Sequence, residues 1–190
     1  MRNVRPGMPS EGRAARPGGD RSLHRGTAVT PMSPYLRRIR SLVGHELLLL
    51  PSVTVLLFDH EGRVLLARHL DTGRWVAPGG MVEPDESPAD TAVREVREET
   101  GCEVELVRVL GAFGGPDFRV RYRNGDETAY VMTVYEGRIT GGRPAPGGQE
   151  TSEVRFVSPA ELRTLEAAPW LSEVLHAVGW SGGQPGADAG

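Results

Sequence analysis

Glu95, Glu98 and Glu99 lie within five residues of one another, in the run REVREETG that begins at Arg94. On a helix, the i, i+3, i+4 spacing brings such carboxylates together on one side. Locally this is unfavourable. Each like-charge neighbour costs about 0.2–0.5 kcal/mol, and acids in a last helical turn oppose the helix dipole by roughly 0.3–1 kcal/mol each. Local frustration of this kind is expected where function overrides stability. A divalent cation would resolve it, because clustered hard oxygen ligands suit Mg²⁺ or Mn²⁺, which keep waters and substrate phosphates in their remaining positions. Taken alone, EVREE reads more simply as a solvated, arginine-laced helix face. The surroundings decide between the two.

A helix is predicted between Ser87 and Gly101. Ser87 is a natural N-cap, Pro88 suits the first helical position and Asp90 can close a capping box. Gly101 stands where a left-handed residue would end the helix. Ala89, Val93 and Val96 give an apolar stripe for a sheet, with the glutamates on an adjacent face. Asp90 and Arg94 form a favourable i, i+4 pair that leaves the final turn unrelieved. Gly79 and Gly80, just upstream, predict a tight backbone path through positive φ.

Gly80, Glu86, Arg94, Glu95, Val96, Glu98, Glu99 and Gly101 fall in register with the Nudix box: G, five residues, E, seven residues, RE, an aliphatic, any residue, EE, any residue, G, an aliphatic. The chain thus resembles the Nudix hydrolases. The one departure is Cys102 at the last aliphatic position, where a small buried thiol packs much like an aliphatic side chain. The resemblance extends more loosely from about residue 48 to 166 through GRVLLARH, TGRWVAPGG and SEVRFVSPAEL. It implies an α+β protein, an α/β/α sandwich around a mixed, largely antiparallel sheet. It also implies hydrolysis of a nucleoside diphosphate linked to another group, by attack of water at phosphorus. Such a step needs charge stabilisation at phosphorus, a base for the water, and accurate positioning.

By the resemblance, Glu98 and Glu99 are the first metal ligands, Glu95 is a ligand or the base, and Arg94 orients Glu95. The Gly80 carbonyl is a further metal ligand, while Glu86 completes the cluster or caps the turn. Relatives place another carboxylate in a loop after the box. GGQETSE offers Glu150 and Glu153, of which Glu150 is preferred. Mg²⁺, or Mn²⁺, is the implied cofactor and a small nucleotide the implied partner. For substrate contacts, Trp75 and Phe113 are candidates to stack a base, as are Phe118, Tyr122 and Tyr130, although each suits core packing equally. Arg119, with Arg121 and Arg123, alternates onto one strand face and is a candidate for phosphate, a solvated face being the simpler reading. Pro116 stands near where ADP-ribose-cleaving relatives carry a proline. ADP-ribose, nucleotide sugars and oxidised nucleoside triphosphates all stay open.

The elements that must carry these residues are readable in outline. SPYLRRIRSLVG (33–44) spaces Leu36, Ile39 and Val43 as an amphipathic helix. LLLLPSVTVLLFD and RVLLARH read as strands joined in a hairpin at His60-Glu61-Gly62. EVELVRVLGAF, FRVRY, ETAYVMTVYEG and SEVRFVS are further strands, with Asn124-Gly125-Asp126 closing a hairpin. Helices follow from Ser158 and in PWLSEVLHAV. Residues 1–32 and 181–190 are rich in Gly and Pro and poor in aliphatics, so both are expected to be disordered tails around one domain at 33–180. Translation starting at Met32 would explain the first of them.

The 190 residues carry a net charge of −3, which leaves no large single-sign field for a polyanion and disfavours nucleic acid. RNA 5′-end processing is then a rival kept alive only by the arginine-rich leader. A nucleotide sensor without catalysis is a second rival, opposed by the intact box, and a scaffold would have no use for the glutamates. The single cysteine excludes an internal disulfide and fits a cytoplasmic protein. No apolar run reaches the roughly 18 residues of a membrane span. A homodimer is common among relatives.

Overall fold

A computed structural model describes residues 32–147 and 150–181; the tail expectations for 1–31 and 182–190 lie outside them. Chain order is α1 (Pro34–Val43), β1 (Leu48–Leu57), β2 (Val64–His69), β3 (Trp75–Val76), β4 (Gly79–Met81), α2 (Pro88–Thr100), β5 (Cys102–Phe113), a 3₁₀ turn (Pro116–Phe118), β6 (Arg119–Arg121), β7 (Glu127–Gly142), β8 (Thr151–Val157), α3 (Pro159–Leu162) and α4 (Pro169–Ala177). This is the α+β arrangement expected, but the strands form two sheets rather than one. The larger runs β4-β1-β7-β5 with β6 also on β7, and the smaller runs β3-β2-β8. Among the strand ladders of the described residues, β1 with β7 is parallel and the others are antiparallel.

The hairpin expected at residues 60–62 closes as a turn but does not continue as a ladder. Gly62 N–H donates to the Asp59 carbonyl at 3.0 Å and Phe58 bridges Val64, after which β1 and β2 part into different sheets. The reason is β1 itself. Ser52 to Leu57 are buried without interruption, and both edges of β1 are already taken, by β4 and β7. A strand sheathed on both faces and paired on both sides has no edge left for its sequence neighbour. The hairpin at 124–126 does form, pairing Arg121 with Glu127.

Two apolar clusters fill the interior. Leu56, Leu66, Phe118, Met132, Val134 and Leu171 anchor one, to which α4 contributes. Val53, Val55, Leu57, Ala92, Val96 and Cys102 form the other, beneath α2. The inward stripe of α2 differs from the expected one. Ala89 and Val93 are exposed, Val93 by 41%, whereas Thr91, Ala92, Glu95, Val96, Glu99 and Thr100 are buried. Two glutamates therefore share the buried face with Ala92 and Val96 instead of sitting beside it.

Helix α1 starts at a Ser33 cap and ends at Gly44, and Leu36 and Ile39 are half-buried as expected. Its deepest residue, however, is Arg40. That guanidinium donates to the carbonyls of Gly44, Glu46 and Glu127 and to Thr128 Oγ1, fastening α1 to the start of β7. Among the described residues no helix is long and apolar enough to cross a membrane.

Candidate metal centre

The glutamate helix is held at both ends by short-range bonds. Ser87 Oγ accepts from Asp90 N–H at 3.2 Å, and Gly101 closes the helix at φ 69° with its N–H on the Arg97 carbonyl. Asp90 turns to Ser87 Oγ, 2.6 Å away, and makes no pair with Arg94.

One carboxylate oxygen from each of Glu95, Glu99 and Glu150 lies within 4.8 Å of the others. Glu99 is 2% exposed. Its Oε2 accepts the Gly79 N–H at 3.0 Å and its Oε1 lies 2.9 Å from His69 Nε2. The loop carrying Glu150 is stitched to the end of α2: Thr151 Oγ1 donates to the Glu99 carbonyl at 3.0 Å, as does Gly147 N–H at 3.1 Å. From the other side, Leu70 N–H donates to the Glu150 carbonyl at 2.8 Å.

Glycines 79 and 80 are required by space and not by φ, since neither adopts a positive value. A Cβ on Gly80 would stand 2.2 Å from Glu95 Oε1, and one on Gly79 would stand 2.1 Å from the Val53 carbonyl oxygen. The missing side chains let β4 lie directly against the Glu95 carboxylate and against β1.

Arg94 gathers the other carboxylates of the box. Its Nε and Nη2 hold the two oxygens of Glu86 at 2.7 and 2.9 Å. Its Nη1 donates to Glu95 Oε1 at 2.9 Å and to Glu98 Oε2 at 3.1 Å. Glu86, further bonded to Thr91 Oγ1, is thereby held below the ordinary carboxylate range. Glu86 and Glu98 thus face Arg94, and neither belongs to the three-carboxylate cluster; Glu98 is 58% exposed.

The electrostatics show what the cluster lacks. Burial and then the charge of Glu99 push Glu95 up to about 7, with Arg94 opposing only in part. Burial and the same neighbour also raise Glu150. Burial disfavours the charged His69 ring, yet the hydrogen bond to Glu99 and the nearby carboxylates outweigh it and raise its pKa. Three converging acids with too little positive charge between them fit a hard divalent cation, for which oxygen donors are the preferred set.

The residues singled out for substrate are not gathered here. Trp75 is 5% exposed, belongs to the first core cluster and is covered by the Arg155 guanidinium at 4.9 Å. Phe113 is half-buried and stacks on Phe118 with centroids 6.3 Å apart. Arg119 pairs with Glu127 across the β6–β7 hairpin. Tyr122 and Tyr130 meet through their hydroxyls at 2.7 Å. His69, in contrast, touches the centre and was not singled out by the sequence. It sits 30 residues from Glu99, and no spacing rule joins a strand-end histidine to a helix.

A NUDIX domain model matches residues 48–178. The chain belongs to the Nudix hydrolase family. This Nudix chain is 30% identical over 131 residues to a MutT-like protein of Streptomyces ambofaciens, covering 69% of its own length and 78% of that protein. It is 35% identical over 108 residues to a Bacillus subtilis protein provisionally named an 8-oxo-dGTP diphosphatase, covering 57% of itself and 66% of the relative, just under two thirds. A solved ADP-ribose pyrophosphatase from Streptococcus suis superposes with a TM-score of 0.52 at 25% identity, over 71% of the Nudix chain and 96% of that structure. Relatives are named as diphosphatases and pyrophosphohydrolases, and the Nudix chain is an enzyme of that family.

Proposed function

We propose that this Nudix enzyme hydrolyses the pyrophosphate bond of a nucleoside diphosphate linked to another group, such as ADP-ribose or a nucleotide sugar, in the cytoplasm. The observation that carries the reading is the convergence of Glu95, Glu99 and Glu150 within 4.8 Å, with Glu95 pushed up to about 7. These three, with the Gly80 carbonyl, would hold Mg²⁺ or Mn²⁺, and Glu98 stands at the exposed edge to join them. Bound there, the ion would neutralise phosphoryl oxygens and lower the cost of charge building up at phosphorus. Gly79 N–H fixes the orientation of Glu99. Arg94 fixes Glu95 while tying down Glu86 on its other edge. Glu150 enters from a separate loop and would give one carboxylate oxygen to the ion, leaving its second oxygen to accept the proton of the attacking water. The water oxygen bonds to phosphorus, the bridging P–O bond breaks, and a nucleoside monophosphate and phosphoryl-X leave.

A second reading, removal of pyrophosphate from a nucleoside triphosphate, is supported by the name of the Bacillus relative. Incubation with Mg²⁺ or Mn²⁺ against ADP-ribose, nucleotide sugars and oxidised deoxynucleoside triphosphates, with products identified by mass, separates the two. AMP and ribose 5-phosphate from ADP-ribose support the first reading. A monophosphate with inorganic pyrophosphate from triphosphates alone supports the second. No product from any of them overturns both.

A further inference from the structure

The end of β2 is irregular where it meets β8. Arg68 pairs with Glu153 and His69 with Thr151, so Ser152 is left without a partner and the ladder bulges next to Glu150. Bulges of this kind re-aim side chains and concentrate beside active sites. Of the residues at the bulge, His69 reaches the candidate metal centre from outside it, while Arg68 and Ser152 are turned to the Gly73 and Arg68 carbonyls. His69 Nε2 contacts Glu99 Oε1 at 2.9 Å, and its ring is 22% exposed. The next residue, Leu70, gives its N–H to the Glu150 carbonyl at 2.8 Å. The far ring nitrogen, Nδ1, lies 4.0 Å from Asp71 Oδ1. Backbone bonds close the same loop on itself, His69 N–H to the Arg74 carbonyl and Gly73 N–H to the His69 carbonyl. Glu99 thus has each carboxylate oxygen engaged, one by Gly79 N–H and one by the imidazole.

From this geometry we infer that His69 is a positioning residue, which donates from Nε2 to Glu99 and so holds that carboxylate in its metal-binding orientation before any ion arrives. The inference rests on the proposed metal-dependent reading of the centre. His69 is no member of the three-carboxylate set, and its contact leaves the ring pointing at a ligand rather than into the cluster. A group that orients a carboxylate ligand through a hydrogen bond affects metal affinity typically 10–100-fold.

The test is Mn²⁺ binding to the full chain without substrate, read from the electron paramagnetic signal of free Mn²⁺, on the wild type, His69→Gln and His69→Met. Glutamine keeps an N–H donor and methionine has none, while both resemble the ring in bulk. The expected result is a 10–100-fold weaker Mn²⁺ affinity in His69→Met and recovery to within about threefold of wild type in His69→Gln, with melting temperatures of the two variants alike. Equal affinity in all three proteins overturns the inference. So does a histidine nitrogen coupling to Mn²⁺ in the wild type, because His69 would then be a ligand. Glu99→Gln is the control that keeps the two levels apart. If the wild type binds no Mn²⁺ and Glu99→Gln changes nothing, the metal-centre reading itself fails; if Glu99→Gln loses binding and His69→Met does not, only the role of His69 fails.

Discussion

Replacing Gly80 by alanine tests whether the position of the Glu95 carboxylate matters to turnover independently of the fold. The added Cβ would lie 2.2 Å from Glu95 Oε1, 2.5 Å from Cδ and 3.0 Å from Oε2, so the whole carboxylate faces it. To reach an ordinary contact of 3.4 Å the group must retreat by about 1 Å. Because the obstructing atoms end a flexible side chain and Gly80 lies outside positive φ, the stability cost is expected at the low end of the overpacking range, ~1 kcal/mol. A displacement of about 1 Å at a reacting centre costs on the order of 10²-fold in rate, or ~3 kcal/mol of barrier. Gly80→Ala is therefore expected to melt within a few degrees of wild type while kcat falls about 100-fold on whichever nucleotide the wild type cleaves. Gly79→Ala supplies the contrast, since its Cβ would meet the Val53 carbonyl oxygen at 2.1 Å and Thr54 Cα at 2.8 Å, backbone that cannot swing away. It should lose the fold along with the activity. Wild-type kcat in Gly80→Ala, or a loss of activity matched by unfolding in both variants, would refute the reasoning.

Glu99→Gln is expected to lower metal-dependent turnover at least tenfold with the fold intact, and Glu98→Gln to lower it less, because Glu98 is 58% exposed and turned to Arg94; the reverse order in kcat would discredit the three-carboxylate cluster. Arg94→Lys replaces a guanidinium holding Glu86 through two nitrogens and Glu95 through a third by a single ammonium, and should cost about tenfold in kcat at nearly unchanged melting temperature. The Asp126 carboxyl works against burial but is held below its usual 3.8 by His45, Asn124 and Arg40. A depressed carboxylate contributes stability that is complete above its unfolded pKa and disappears as pH falls through the folded one. Melting curves of Asp126→Asn should accordingly fall less steeply than wild type between about pH 5 and pH 3, and parallel curves would count against the assignment.

What could be read from the sequence was what short-range rules determine. Ser87, Pro88 and Gly101 bracket α2 because capping depends on residues within a turn of each other, and Asn124-Gly125-Asp126 closes its hairpin for the same reason. The split of β1 from β2 was not legible, because the turn at 59–63 says nothing about which strands compete for the edges of β1. Apolar spacing placed Val96 on the inward face of α2 correctly but misassigned Ala89 and Val93. Val93 fits the stripe by period, yet the helix is rotated to bury Glu95 and Glu99, a choice that makes sense only if carboxylates are needed inside. In the centre, the residues of the box were legible as a set, but their division was not. Arg94 draws Glu86 and Glu98 to itself and leaves Glu95 and Glu99 to meet Glu150, whose approach depends on how β8 joins α2. His69 reaches Glu99 through a ladder irregularity that no periodicity announces.

Cys102, the chain's only cysteine, is wholly enclosed directly behind the residue that ends the glutamate helix. A thiol reagent can therefore reach Cys102 only while the packing around it opens, as when that helix terminus lifts away from its sheet. Labelling speed becomes a built-in clock for breathing of the glutamate helix, and an ion or nucleotide that clamps the helix should slow the clock without any engineered probe.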